Sequence, residues 1–154
     1  MKTELNPTDR IILNLLQEDA RLTTKEIASH LGLSTTPTYE RIKRLEKNQY
    51  IKSYVALLDR KKMGKNLMTF CSVAVKEHNQ SYLERFKQEI LALEEVIECY
   101  HIAGRFDFLL KVVTNNMDDY HRFVTHNLSK IAHIQTVQSD FVMSEIKQST
   151  QLPI

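Results

Sequence analysis

Residues Leu22 to Lys47 read LTTKEIASHLGLSTTPTYERIKRLEK, a stretch that predicts two short helices joined by a tight turn. Thr23 is a candidate N-cap, and Glu26 three residues later completes a capping box for the first helix. Gly32 suits the end of that helix, because glycine reaches a left-handed backbone without strain. Ser34 is the candidate cap of the second helix. The stretch therefore predicts a helix-turn-helix.

The second of these helices is predicted to bury Tyr39, Ile42 and Leu45, which recur every three residues. Its opposite surface carries hydroxyls near the start and cations further along. A DNA major groove accepts short polar groups near base edges and cations near phosphates, so this helix is a candidate DNA-reading helix. The alternative is an ordinary solvent-facing basic helix. The candidate DNA contacts are Ser34, Thr35, Thr36, Thr38, Arg41, Lys43, Arg44 and Lys47.

The net charge of +2 over 154 residues hides an uneven distribution. Residues 1–65 carry 13 Lys or Arg against 8 Asp or Glu, so the helix-turn-helix lies in the basic part of the chain. Cys71 and Cys99 form no CxxC pair, which argues against a disulfide framework and against a zinc module. The sequence predicts no cofactor, no catalytic dyad, no export signal and no membrane span, and a reducing cytoplasm is the simplest location.

A third helix is predicted before the pair. Asn6 is its candidate cap, Pro7 suits its first position, and it is expected to bury an apolar stripe of Ile11, Ile12, Leu15 and Leu16. The three helices form a predicted DNA-binding head over residues 1–50. Residues 51–64 are predicted to be a linker strand and domain boundary, because YIKSYVALL is extended in character and DRKKMG is typical of a turn.

Beyond Gly64 the apolar pattern alternates between strand and helix. Strands are predicted at 66–75, 96–103, 106–113 and 134–146, helices at 81–93 and 117–131, and a hairpin turn at Gly104-Arg105. The order βαββαβ over residues 65–154 predicts a ferredoxin-like sandwich, with two helices on one face of an antiparallel sheet. The fold class is therefore α+β: a three-helix, winged-helix-like head followed by a ferredoxin-like unit. The open sheet face is apolar in places, which favours association with another chain.

Three segments, in order, resemble the leucine-responsive regulatory protein/AsnC family of bacterial and archaeal transcriptional regulators, and most of all its leucine-responsive branch. They are NPTDRIILNLLQEDARLTTKEIASHLGLSTTPTYERIKRLEKNQYIKSYVALLD at residues 6–59, GRFDFLLK at 104–111 and FVMSEIKQS at 141–149. The resemblance covers nearly the whole chain. It implies sequence-specific binding of double-stranded DNA, controlled by a small amino-acid effector such as leucine or methionine.

The resemblance also implies an assembly and an effector site. The C-terminal unit is similar to the family's amino-acid-sensing module, which dimerises together with linker strand 51–57. Dimers assemble further into octamers, and the effector binds between dimers. The implied effector-binding residues are His101, Gly104, Arg105 and Asp107 at the hairpin, with Thr136, Gln138 and Ser139 on the last strand.

The residues at the hairpin suit an amino acid as ligand. Gly104 lets backbone N–H groups approach a carboxylate closely, Asp107 offers an acceptor to an ammonium group, and Arg105 is a candidate carboxylate clamp. The alternative is a plain hairpin turn in which Asp107 bonds the local backbone. Arg105 stands where the family often has an acidic or small residue.

Tyr39 also departs from the family, which usually has an aliphatic residue there. It is expected either to pack differently or to reach a phosphate, and it therefore joins the candidate DNA contacts. Two other classes of function stay open from the sequence. One is a siroheme-decarboxylase-like enzyme on the same architecture, which the intact basic helix argues against. The other is an amino-acid sensor that does not bind DNA. A DNA-binding regulator is expected in the cytoplasm, at the nucleoid.

Overall fold

The computed structural model describes residues 5–76 and 79–154. The chain forms two compact units: Met1–Leu57 with Lys147–Ile154, and Leu58–Ile146. We call the first unit the head and the second the sheet unit. Residues 1–4 of the predicted head lie outside the described residues. Each unit has an apolar core of its own.

The head contains helices α1 (Pro7–Glu18), α2 (Thr24–Leu31) and α3 (Thr35–Lys47). Short-range side-chain bonds fix the N-terminal ends of α1 and α2 as predicted. The Asn6 side chain accepts the N–H of Asp9 at 2.8 Å, and Thr23 and Glu26 form the capping box before α2. Gly32 ends α2 at φ 64°, the left-handed conformation that favours glycine. The predicted helix-turn-helix is confirmed.

The core of the head takes one or more apolar side chains from each helix. Ile12 of α1, Ile27 of α2 and Leu45 of α3 are almost completely buried, which is worth about 1.5–3 kcal/mol for each such side chain. The predicted stripe of α1 is wrong at one edge: Leu13 is buried and Ile11 is exposed. The two are similarly apolar, so packing against the other helices decides which of them faces inward.

The sheet unit follows the predicted order βαββαβ. Its strands are β1 (Leu67–Val75), β2 (Val96–His101), β3 (Phe108–Thr114) and β4 (Ile134–Phe141), and its α-helices are α4 (Gln80–Leu91) and α5 (Met117–Arg122). The strands lie in the order β2-β3-β1-β4, and every neighbouring pair is antiparallel. This confirms the α+β fold with a ferredoxin-like unit.

The two faces of the sheet have different surroundings. Val73 and Leu110 belong to the core on the side of Phe86 from α4. Phe70 and Leu109 alternate with these core residues along β1 and β3, so they point to the opposite face, where they are half-buried. The second face of the sheet thus presents apolar side chains that a partner surface can cover.

The helix predicted at 117–131 is confirmed in extent, but it is regular only in its first half and ends in a 3-10 turn at Leu128–Lys130. The α-helix ends at Arg122, and a π-helical turn, Phe123–Asn127, follows it. The hydroxyls of Thr125 and Ser129 donate to the carbonyls four residues earlier, at 2.8 and 2.5 Å. Hydroxyl bonds of this kind compete with the regular backbone ladder and favour such irregular turns.

Two parts of the sheet also differ from prediction: the end of β4 and the hairpin between β2 and β3. β4 stops at Phe141, which pairs with Thr69 of β1, instead of residue 146; beyond it the Val142 N–H still donates to the Met68 carbonyl at 3.0 Å, and the regular ladder then ends. β2 ends at His101 and β3 begins at Phe108, so residues 102–107 form a loop longer than the predicted two-residue turn. Both differences depend on strand pairing, which is not a local property of the sequence.

Candidate DNA-binding and effector-binding sites

Helix α3 exposes most of the candidate DNA contacts on one surface, which we call the reading face. Its residues are Ser34, Thr35, Thr36, Tyr39, Lys43, Arg44 and Lys47. The hydroxyls lie at the N-terminal end of α3, where the helix dipole also favours an anion such as a phosphate. The cations follow over the next turns. Arg41 is half-buried beside this face.

Thr38 and Tyr39 exchange the places predicted for them. Thr38 is completely buried and its hydroxyl donates to the Ser34 carbonyl at 3.0 Å, so its predicted exposure is wrong. Tyr39 is 50% exposed, so its predicted burial is wrong as well. The buried stripe of α3 runs through Thr38, Ile42 and Leu45, a regular i, i+4, i+7 spacing. The small threonine fills this inner position, and the larger ring of Tyr39 lies one step around the helix.

Ser34 has the backbone conformation of an N-cap, but its side chain makes no capping hydrogen bond. The third position of α3 is Pro37, which has no N–H to donate to the cap residue. The predicted cap is therefore correct in place and wrong in its bond. As a result the Ser34 hydroxyl is not committed to the helix end and belongs to the reading face.

The cations of α3 have different surroundings. Lys43 Nζ lies 2.7 Å from Glu46 Oε2 and 5.6 Å from the centre of the Tyr39 ring. Arg41 and Arg44 both form ion pairs with Asp9 of α1. Neither pairing was predicted from the sequence. Asp9 stands in the first turn of α1, where an acidic residue is ordinary, and no local signal distinguishes it.

Tyr54 lies on the extended segment that follows α3. Its hydroxyl donates to Glu46 Oε1 at 3.1 Å. Desolvation, and after it the hydrogen bond with Glu46, raises the pKa of Tyr54 to about 12. The phenol is therefore a neutral donor at physiological pH, and it ties the extended segment to α3.

The last residue of β2 and the loop that follows it carry four of the predicted effector-binding residues. His101, Gly104 and Arg105 are exposed. The His101 ring stacks on Phe108 with 4.9 Å between ring centres, and the Arg105 guanidinium lies 5.6 Å from the centre of the Phe106 ring. Gly104 has φ 151°, a backbone conformation that L side chains rarely adopt. The loop thus presents an imidazole, a guanidinium and exposed backbone around one turn.

Asp107, the fourth of these residues, ties the loop to β1. Its carboxylate accepts the Val75 N–H at 2.8 Å, and its own N–H donates to the Val73 carbonyl at 2.9 Å. Its carbonyl accepts the Ile102 N–H at 2.8 Å, which closes the hairpin. The strand register shifts between Ala74 and Val75, and the carboxylate supplies an acceptor at this irregularity. Asp107 therefore has a structural role, the alternative that the sequence left open.

The three candidates on β4 point to two faces of the sheet. Thr136 and Gln138 are exposed, whereas Ser139 faces the core, where it accepts the Tyr120 hydroxyl at 2.5 Å. The sulfur of Cys71 lies 2.8 Å from the same hydroxyl. Burial raises the pKa of Cys71 and of Tyr120, so both stay protonated at neutral pH. The alternation of the strand separates Ser139 from the other two residues.

The hairpin and the start of β4 lie at the same end of the sheet. Thr136 pairs with Ala74, which stands between the two β1 residues that bond Asp107. Within residues 5–76 and 79–154, no group of three His, Cys, Asp or Glu side chains is placed to hold a metal ion. In the same two ranges, no helix combines the length and apolarity needed to cross a bilayer.

Comparison with known proteins gives matches to both parts of the chain. A family of winged helix-turn-helix DNA-binding domains matches residues 5–52, and the Lrp/AsnC ligand binding domain matches residues 68–152. The leucine-responsive regulatory proteins of Klebsiella pneumoniae and Escherichia coli (strain K12) are each 34% identical to this chain over 151 residues. Those alignments cover 98% of this chain and 92% of each relative.

Solved structures agree with these matches. A transcriptional regulator from Neisseria meningitidis, solved as a complex with L-Met, is 33% identical, with a TM-score of 0.93 and 97% of each chain covered. An AsnC family transcriptional regulator from Agrobacterium tumefaciens is 38% identical, with a TM-score of 0.92 over the same share of both chains. These relatives are regulators of transcription, which counts against the enzyme alternative. The chain belongs to the Lrp/AsnC family, and it is a DNA-binding transcriptional regulator with a winged helix-turn-helix and a ligand-binding domain.

Proposed function

We propose that the reading face of α3 contacts DNA directly. The observation that carries this proposal is the order of groups along the exposed face, with hydroxyls at its start and cations after them. Hydroxyls can bond base edges or phosphates, and each good base contact is worth about 1–3 kcal/mol of discrimination. The lysines supply phosphate contacts, which position the helix without reading sequence, and Arg44 can bond a base edge or a phosphate. Two heads of a dimer would then read half-sites about 34 Å apart, or at multiples of that distance.

Selection from a pool of random duplexes tests this proposal. The parent chain should enrich a two-fold symmetric sequence. A triple variant with Ser34→Ala, Thr35→Ala and Thr36→Ala should enrich a different sequence or none, because the groups nearest the base edges are lost. A control triple variant changes exposed polar residues of the C-terminal tail: Gln148→Ala, Ser149→Ala and Thr150→Ala. Identical enriched sequences from the parent and the α3 variant would contradict the proposal.

The chain is proposed to act as a dimer, with an octamer of four dimers as the larger assembly. The segment after α3 supports this, because Val55, Leu57 and Leu58 are strongly exposed in the single chain. Residues 51–57 lie in no helix and pair with no strand among the residues described here, so the predicted linker strand is absent from the single chain, and such a segment can add to a second copy. The half-buried apolar residues on the second face of the sheet give a further surface for dimerisation.

The effector is proposed to be a small amino acid, with leucine and methionine as first candidates, bound at the β2–β3 hairpin. Support comes from the match to the family's ligand-binding domain and from the Neisseria meningitidis relative solved with L-Met. A carboxylate accepts several hydrogen bonds, so Asp107 can receive an ammonium group in addition to Val75. Thr136 and Gln138 of a neighbouring dimer are proposed to complete the site, with His101, Gly104 and Arg105 on the hairpin side.

The proposed domain boundaries remain those of the sequence: a head at 1–50, a linker strand and boundary at 51–64, and a sensing domain at 65–154. The family matches at 5–52 and 68–152 support this division. The tail from residue 147 packs with the head, where the Leu152 N–H donates to Gln17 Oε1 at 2.7 Å. A DNA-binding protein of this kind is proposed to work in the cytoplasm, at the nucleoid.

A further inference from the structure

Helix α1 places one carboxylate against α3. Asp9 is only 2% exposed. Arg44 Nη2 lies 2.9 and 2.7 Å from the two carboxylate oxygens of Asp9, and Arg41 Nη1 lies 3.2 Å from Oδ1. One buried carboxylate therefore holds two guanidinium groups of the helix that carries the reading face.

The geometry of this cluster restricts both arginines. Arg41 and Arg44 are three residues apart, so their side chains leave α3 on the same side. The backbone of Asp9 is itself fixed, because its N–H donates to Asn6 Oδ1 at 2.8 Å. Each guanidinium has five N–H donors in a planar fork, and both side chains are partly exposed. The donors that do not face Asp9 are thus held in a set direction at the surface.

We infer that Asp9 is a positioning residue for DNA recognition, which acts through Arg41 and Arg44. This inference rests on the proposed DNA contacts of α3. A cation fixed before binding loses less conformational entropy when it meets a phosphate or a base edge. The carboxylate also fixes the rotation of α3 against α1, because separating a buried charge from its partners is costly. Fixed guanidinium groups and a fixed helix rotation suit one register of α3 on the DNA. Both effects therefore favour the matched sequence over other DNA.

For Asp9→Asn, this role and net charge alone predict opposite changes in the affinity for the selected duplex. Replacement of a carboxylate by an amide makes the head more positive, and charge alone would tighten its binding to any DNA. We expect Asp9→Asn to weaken binding to the selected duplex at least tenfold. Binding to a scrambled duplex of the same length and composition should stay equal or become tighter.

The readout is the ratio of the two affinities, measured by fluorescence anisotropy with the duplex enriched by the parent chain and its scrambled version. Partial unfolding lowers both affinities by the same factor, so it cancels in this ratio and a purely structural role would leave the ratio unchanged. Asp19→Asn is the matched control. It removes the same charge from the opposite end of α1, where Asp19 pairs with the exposed Arg21 at 3.0 Å and not with α3.

A second comparison tests whether Asp9 acts through the arginines. In a variant that already carries Arg41→Gln and Arg44→Gln, addition of Asp9→Asn should lower the ratio of the two affinities no further. The Asp9→Asn change also removes a buried carboxylate that has lost its arginine partners and would disfavour folding. This comparison replaces the single variant if Asp9→Asn alone does not fold. An unchanged ratio in Asp9→Asn, or a further fall in the double-arginine background, would overturn the inference alone. A parent chain that enriches no duplex would overturn the proposed DNA contacts and the inference with them.

Discussion

The cations of the reading face have different partners. The salt dependence of DNA binding therefore tests some of them more clearly than others. Lys43 has Glu46 at 2.7 Å and Arg44 has Asp9, whereas Lys47 is exposed in the last turn of α3. We expect Lys47→Ala to reduce the slope of log K against log salt by about 0.9, the value for one lost phosphate contact. Lys130→Ala removes the same charge from the sheet unit and should leave the slope unchanged. An unaltered slope in the Lys47 variant would remove this residue from the DNA contacts.

Asp107 has two roles that a pair of substitutions can separate. In Asp107→Asn the amide oxygen can still accept the Val75 N–H, so the fold is retained, but no charge remains for an ammonium group. We expect this variant to lose the amino-acid response of DNA binding. Asp107→Ala should in addition lower the free energy of unfolding by about 1–3 kcal/mol, because the Val75 N–H loses its partner. Urea unfolding and DNA binding measure the two effects, and a full response in Asp107→Asn would leave this residue a structural role only.

Tyr54 joins residues 51–57 to α3 and makes the stability of the head depend on pH. The pKa of Tyr54 is raised to about 12, so the neutral phenol is favoured in the folded state. Its contribution to stability is complete below the unfolded pKa of about 10 and is lost as the pH rises through about 12. Tyr54→Phe should cost about 0.5–1.5 kcal/mol at neutral pH. The difference in unfolding free energy between parent and variant should shrink above pH 10, and a difference independent of pH would contradict this account.

The elements also show which parts of the fold are encoded locally. The caps at Asn6 and Thr23 and the stop at Gly32 depend on side chains within a few residues, and the sequence predicts them correctly. The rotation of α3 does not follow from its own residues. Tyr39 is the more apolar choice for the buried stripe, yet packing against the neighbouring helices places Thr38 there. The end of β4 likewise depends on its pairing with β1, which runs to Phe141 opposite Thr69.

The residues of the candidate sites likewise divide into those that the sequence predicts and those that it does not. The exposed hydroxyls and cations of α3 follow from helical spacing, so the sequence predicts most of the reading face. The ion pairs of Asp9 join residues 32 and 35 positions apart, and the bond from Asp107 to Val75 spans 32 positions. No periodicity signals such contacts. Ser139 was assigned to the effector site from family resemblance, which does not show that its side chain faces the core.

The exposed apolar segment after α3 predicts self-association of the chain. Leu57 is 72% exposed in the single chain. Leu57→Asp should place a charge in the proposed dimer interface and shift the protein toward monomer in sedimentation velocity. Leu91→Asp is the matched control, because Leu91 is 77% exposed on α4 and lies outside that segment. Equal sedimentation of the two variants and the parent would contradict a dimer through residues 51–57.

The two proposals together describe one chain that reads DNA through α3 and responds to an amino acid at the β2–β3 hairpin. The most direct measurement is anisotropy of the selected duplex with the parent chain and with Asp107→Asn, with and without each of the twenty amino acids. We expect one amino acid or a small chemically related group to change the affinity of the parent by about 5–150-fold, the usual range of allosteric coupling, and to leave Asp107→Asn unchanged. Selective binding by the parent that no amino acid alters would contradict this description.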